Sequence, residues 1–197
     1  MTHLFWRRPA IVCASIVALL LSAALPFAPD APALAHGRHA NSVAAAVNQD
    51  WPTYLHDVAR TSASTETILT TSNVALLRSQ WAYLTGGGIA ASPTIVNGVA
   101  YVGSWDGYEY AINAATGTLI WKTFLGTTTA PNCQPPALGI TSAATVTNGV
   151  VYVGGGDTNW YALDAATGAI LWSVYTGDNS VTGGHYNWSS PLIYNNF

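Results

Sequence analysis

From residue 93 onward, apolar and polar positions fall in short runs of about five residues, each closed by a turn of Gly, Asn, Asp or Thr. Runs of that length carry the two-residue period of strands, not the 3.6-residue period of helices. Residues 93–96 form the first run and end at Asn97-Gly98, which supplies the two left-handed residues a tight hairpin needs. Residues 99–103 follow, Asp106-Gly107 marks the second turn, and residues 108–113 make the third run. The turn at residues 114–117 then leads into residues 118–124. Three hairpin turns at these offsets predict a four-stranded antiparallel meander.

The same pattern recurs 51 residues later. Residues 89–122 and 140–173 share 16 identities in 34 ungapped positions, and both copies end in tryptophan, Trp121 and Trp172. The second copy keeps Asn148-Gly149 and Thr167-Gly168 but places Thr158 after Asp157, where the first has Gly107. A third copy opens at Ser190-Pro191, the counterpart of Ser92-Pro93. A four-stranded unit repeating about every 50 residues is the pattern of a β-propeller blade. A single blade cannot cover both of its faces and needs neighbours on either side. The expected fold is therefore all-β, an incomplete propeller of four-stranded antiparallel blades. Blades span about residues 89–125 and 140–176, and a third starts near residue 189. A ring closes with at least four blades, so residues 50–197 are expected to be the N-terminal part of a longer propeller, lacking roughly 200 to 350 residues at about 50 per blade.

The residues ahead of the blades read differently. Arg7 and Arg8 precede an apolar run over residues 11–25, followed by Pro26 and the small-residue triplet Ala33-Leu34-Ala35. This is the pattern of a secretory signal peptide over residues 1–35, cleaved near Ala35. The alternative, a membrane anchor, needs roughly 20 apolar residues to cross the hydrocarbon layer. Residues 36–49 are Ala-rich without periodicity and read as a linker. A secreted or periplasmic protein with no membrane span in its mature form is the expectation.

Composition narrows the function classes. Half the residues are hydrophobic, 8% are charged, and the formal net charge is −3. Disorder requires the reverse balance, and six Lys and Arg cannot build the basic face that nucleic acid demands. Eight Trp, ten Tyr and 18 Gly fit strands joined by tight turns.

Ala162, Asp164, Thr167, Gly168 and Trp172 match the A-x-D-x-x-T-G-x-x-x-W docking motif of pyrroloquinoline-quinone-type propellers. Ala111, Thr116, Gly117 and Trp121 match it as well, with Asn113 in place of the aspartate. The chain thus resembles the quinoprotein alcohol dehydrogenase-like family over about residues 50–197. Asp50, Trp51, Pro52, Tyr54, His56, Asp57, Arg60 and Thr61 resemble an opening segment common in that family. Asn73, Val74, Leu77 and Trp81 resemble the strand that pairs with the last blade of a complete ring. The resemblance implies that each motif tryptophan stacks on a peptide plane of the neighbouring blade, while the Asp, Thr and Gly shape the turn.

For chemistry, the resemblance implies pyrroloquinoline quinone at the ring centre beside Ca²⁺. A carboxylate base would remove the alcohol proton as hydride passes to the quinone. The substrate would be a small-molecule or polymeric alcohol, as in the polyvinyl-alcohol dehydrogenase type. Other members are non-catalytic scaffolds, for which a protein or polymer partner is implied. Neither the vicinal Cys-Cys pair of several such enzymes nor a C-x-x-C-H haem motif occurs in this sequence.

Individual candidates remain open between chemistry and structure. Cys133, in a proline-rich insertion between the first two copies, reads as half of a disulfide or as a free loop thiol. His185, Asn187 and Trp188 concentrate hydrogen-bonding and aromatic groups just before the third copy, where they could meet a planar cofactor or simply pack a loop. Asp106, Asp157, Asp164 and Asp178 are the carboxylates to test for a Ca²⁺ site, and three of them fall in turns that favour Asp for its backbone bonds. The glycine triplets at residues 86–88 and 154–156 lack the Lys-Ser/Thr sequel of a phosphate loop.

Overall fold

The computed structural model describes residues 50–128, 138–178 and 186–195. The signal-peptide and linker segments, residues 1–35 and 36–49, lie outside the described residues. Two four-stranded antiparallel sheets follow one another along the chain. The first contains β1 (Thr94–Val96), β2 (Val99–Gly103), β3 (Tyr108–Asn113) and β4 (Leu119–Phe124). The second contains β5 (Thr145–Thr147), β6 (Val150–Gly154), β7 (Asn159–Asp164) and β8 (Ile170–Tyr175). Each strand pairs only with its neighbours in sequence, so both sheets are simple meanders and the expected blade architecture is present.

The turns explain why the strands end where they do. Asn97 and Gly98 have φ of 51° and 74°, and Asn148 and Gly149 have 51° and 76°, the left-handed pair that matches strand twist. Asn195, the counterpart in the third copy, already stands at 49°. The second turn is more demanding. Gly107 adopts φ 87°, and Thr158 holds the same turn at 70°, a conformation that a β-branched residue rarely adopts. Its buried hydroxyl donates to the Gly177 carbonyl at 2.5 Å, which ties the turn to the chain leaving β8.

A recurring pair braces each second turn. Asp106 accepts the Tyr110 hydroxyl at 2.5 Å and the Gly86 N–H at 2.9 Å. Asp157 accepts the Tyr161 hydroxyl at 2.7 Å. Burial, reinforced by these carboxylates, pushes the Tyr110 and Tyr161 hydroxyls up to about 12. Burial also works against the Asp106 carboxylate, but the bonds from Tyr110, Tyr108, Ser104 and Gly86 outweigh it and hold the group below its ordinary range.

The main core lies between the sheets. Tyr101, Ala111 and Trp121 of the first blade pack with Val151, Val153, Tyr161 and Leu163 of the second, together with Ile140 from the connection. The opposite face of the first blade carries a smaller cluster of Val102, Tyr110 and Ile112 against Trp81 and Tyr83. The first sheet thus buries residues in both directions, whereas β8 of the second sheet is exposed along its length. Among the described residues, the segment likened to a ring-closing strand forms a single 3-10 turn at Val74–Leu76 and no ladder up to Trp81. An extended strand needs a partner for its N–H and C=O groups, and this stretch meets the first blade only through side chains. No helix among the described residues is long and apolar enough to cross a membrane.

Candidate functional site

The stretches that precede the first strand of each copy converge. Ala90, Ala91 and Ser92 come from the first copy, Thr141 and Ala143 from the second, and Ser189 and Ser190 from the third. With Tyr54, Arg60 and Trp188 they enclose a cleft of about 420 Å³. What brings these stretches together is a repeated hydroxyl bond. Thr94 donates to the Ala144 carbonyl at 2.7 Å, and Thr145, its counterpart, donates to the Pro191 carbonyl at 2.6 Å. The Ser190 hydroxyl also accepts the Ala143 N–H at 3.0 Å.

The N-terminal segment is laced across both blades beside this cleft. Trp51 forms an antiparallel bridge with Ile95, and the Val146 N–H donates to the Pro52 carbonyl at 2.8 Å. The hydroxyls of Thr53 and Thr145 meet at 2.8 Å in a buried contact. Beyond Thr53 the backbone tightens, with Leu55, His56, Arg60 and Ser62 all at φ between 56° and 79°. Asp57 secures this loop by accepting the Thr61 hydroxyl at 2.5 Å and its N–H at 3.0 Å, bonds that lower its carboxyl below the usual range.

Arg60 is thereby fixed at the cleft. Its guanidinium lies 5.4 Å from the centre of the Tyr54 ring and donates to the Tyr54 carbonyl at 3.4 Å. Among the described residues no carboxylate lines the cleft, so this cation faces hydroxyls, methyl groups and an indole. The Trp188 ring is 55% exposed and meets Tyr186 edge-on at 6.2 Å between centroids.

The other sequence candidates take up structural positions. Asn187 ties neighbouring segments together: its side-chain amide donates to the Asn159 carbonyl at 3.0 Å, and its main-chain carbonyl accepts the Thr141 hydroxyl at 3.2 Å. His185 and Cys133 lie outside the described residues. Trp121 donates its indole N–H to the Ala165 carbonyl at 3.0 Å, and its ring covers Gly168 so closely that a Cβ there would stand 2.6 Å from it. Trp81 repeats this on the first blade, donating to the Ala114 carbonyl at 2.8 Å and covering Gly117. Trp172, the next in the series, is 46% exposed. Ala111 and Ala162 are wholly buried in the strands ahead of these turns.

Asp164 accepts the Ala166 and Thr167 N–H groups and the Thr167 hydroxyl at 2.8 to 3.1 Å. Asn113 accepts the Ala115 and Thr116 N–H groups at 3.0 and 2.9 Å, so the amide shapes the turn as the carboxylate does. Asp106 and Asp157 serve their tyrosines. Among the described residues, no group of three or more His, Cys, Asp and Glu gathers to hold a metal ion.

One residue that the sequence reading passed over stands out. Glu109, in β3, is fully buried between the two blades, and neither carboxyl oxygen has a hydrogen-bond partner among the described residues. Burial pushes its acid up to about 8. The signal was available in Tyr108-Glu109-Tyr110, a charge in a strand whose two faces are both covered.

Comparison with known proteins places these features. The family described as "Outer membrane protein assembly factor BamB" matches residues 55–196. The chain is 34% identical over 141 residues to the dehydrogenase subunit of the quinone alcohol dehydrogenase of Gluconobacter oxydans, covering 69% of this chain and 18% of that protein. It is 32% identical over 146 residues to the quinohemoprotein alcohol dehydrogenase of Comamonas testosteroni, covering 71% of this chain and 21% of that protein. The solved structure of the Comamonas enzyme superposes with a TM-score of 0.58 at 32% identity, over 65% of this chain and 19% of that one. A europium-containing methanol dehydrogenase gives 0.64 at 25% identity, over 74% and 26%. The chain spans about a fifth of the length of the curated relatives it matches.

Proposed function

Because the chain belongs to the quinoprotein-like propeller family described as outer membrane protein assembly factor BamB, we propose that it forms the opening blades of an exported alcohol dehydrogenase-like protein using pyrroloquinoline quinone. The observation that carries this reading is the cleft where three copies of the repeat meet, in a chain about one-third identical to quinone-dependent alcohol dehydrogenases. The quinone is planar and polyanionic. Trp188 offers a ring face for stacking, Arg60 offers an unmatched planar cation for a carboxylate, and Ser92 and Ser189 offer hydroxyls around them. These residues fit the plane and charge of the quinone. They do not fit Ca²⁺, which requires several converging oxygen ligands, carboxylates foremost.

When bound, the quinone would supply the hydride acceptor for alcohol oxidation. The chain's own part is to hold it: Arg60 fixes one edge by charge, while the laced N-terminal segment fixes Arg60. Residues 1–35 would direct export, and the substrates would be small-molecule or polymeric alcohols. The test is to add pyrroloquinoline quinone with Ca²⁺ to the purified protein and follow both tryptophan quenching and dye-linked oxidation of primary alcohols and polyvinyl alcohol. Saturable quenching that Trp188→Ala and Arg60→Ala weaken, with oxidation that requires the quinone, supports the proposal. Unaltered fluorescence at millimolar quinone overturns it.

The neutral, hydroxyl-rich lining from all three copies favours a second reading, a non-catalytic scaffold whose face binds a protein or polymer. That reading predicts partner capture without quinone binding, and loss of capture when Trp188 is replaced.

A further inference from the structure

Glu109 occupies a place where the repeat does not need an acid. Its counterpart 51 residues later is Trp160, so the strand forms equally well without a carboxyl group. It pairs across the sheet with Gly103 on one side and Thr123 on the other. Gly103 leaves the gap that admits it: a Cβ there would lie 2.2 Å from the Ile140 side chain and 3.1 Å from a Glu109 oxygen. Ile140, itself fully buried, closes the space from the second blade.

Among the described residues, no charge in this layer answers the carboxylate. β2 presents Gly103 and the Tyr101 hydroxyl, which donates to the Ala165 carbonyl. β4 presents Trp121 and Thr123, whose hydroxyl donates to the Gly168 carbonyl. The second blade presents aliphatic residues and Tyr161, whose hydroxyl is held by Asp157. Lys122 lies away from the layer, over the rings of Tyr108 and Tyr110. An ionised carboxylate in such surroundings loses its hydration without compensation.

We propose that Glu109 makes the seam between the first two blades pH-sensitive, closed when the residue is a neutral acid and loosened when it ionises. The direction follows from proton linkage. The group's raised value, about 8 against an ordinary 4.5, means that the closed seam keeps a proton which the open one gives up. The stabilisation is complete below about 4.5 and is lost as pH rises through about 8. Ile140 is followed by Thr141, which lines the cleft, so a loosened seam shifts one wall of the cleft against the other.

The experiment is hydrogen exchange of the Trp121 indole N–H, which bridges this seam, across pH 5.5 to 8.5 after correction for intrinsic exchange. In the full chain, the open population should rise roughly tenfold per pH unit between about 5.5 and 7.5, and Glu109→Gln should abolish that slope. Parallel slopes in both proteins would overturn the proposal. Should the variant not fold, carboxyl-carbon titration of the unaltered chain decides the matter, since Glu66 and Glu109 are its two glutamates. One midpoint near 8 supports the switch, and two midpoints in the usual carboxylate range exclude it.

Discussion

The indole of Trp121 reaches 44 residues along the chain to donate its N–H to the main-chain carbonyl of Ala165 at 3.0 Å. One bond satisfies a buried donor, covers Gly168 and sets the separation of two sheets. Trp121→Phe should keep most of the ring contact and lose the bond, costing about 1 kcal/mol, whereas Trp121→Ala should cost about 3–5 kcal/mol. Urea unfolding monitored by circular dichroism separates the two.

Gly168 and Gly149 share a left-handed backbone, with φ of 73° and 76°, but differ in surroundings. Nothing lies within 4 Å of a Cβ built on Gly149, while one on Gly168 meets the Trp121 ring at 2.6 Å. Gly149→Ala should therefore cost about 1 kcal/mol from backbone strain alone. Gly168→Ala should cost clearly more, and it should also raise the solvent exchange of the Trp121 indole N–H. Equal losses at the two positions would contradict the docking role of Gly168.

Thr145 links three segments through one hydroxyl, accepting from the Thr53 hydroxyl and donating to the Pro191 carbonyl. Thr145→Val leaves a buried hydroxyl and a carbonyl unpaired and should cost about 1–3 kcal/mol. A double-mutant cycle with Thr53→Val should give a coupling of at least about 0.5 kcal/mol. Additive losses would show that the two hydroxyls act separately.

Asp106 is held below its ordinary value by its donors, so its contribution is present above the unfolded carboxylate range, near 3.8, and lost as pH falls through the lower folded value. Tyr110→Phe removes one donor and should weaken that acid-side dependence. The check is the midpoint of acid unfolding, which should move to higher pH in the variant.

Arg60→Ala should weaken quinone binding by about tenfold or more, because a charged hydrogen bond contributes roughly 1.5–3 kcal/mol. Arg60→Lys should recover part of it, retaining the charge without the planar fork. Fluorescence titration of the three proteins gives the order.

The strands were legible because each rests on local chemistry: alternating apolar residues between Asn-Gly and Thr-Gly turns. Trp121 stood out in the sequence because Trp172 recurs at the equivalent position. The cleft was not, since Ala90, Thr141 and Ser189 carry no motif and become neighbours only when the copies fan around a common centre. Aligning all three copies at those positions would have pointed to it. Glu109 was missed because alternation within one strand makes a glutamate look like an outward residue, and only the second covering layer makes it a buried one. Thr158 shows the opposite case: the turn survives loss of its glycine because a hydroxyl bond to Gly177 supports the strained backbone.

The paired fastenings have a geometric consequence. The first blade is attached to the second at two edges of its sheet, by Thr94 on the first strand and Trp121 on the fourth. Two separated attachment points plus a packed layer fix the angle between the two sheets while the seam is closed. The threonine bonds reach across 50 residues in the first case and 46 in the second, yet their lengths are 2.7 and 2.6 Å. The connecting length thus differs between copies while the threonine bond is kept. Curvature in this architecture is therefore set where two adjacent repeats meet, not within either repeat.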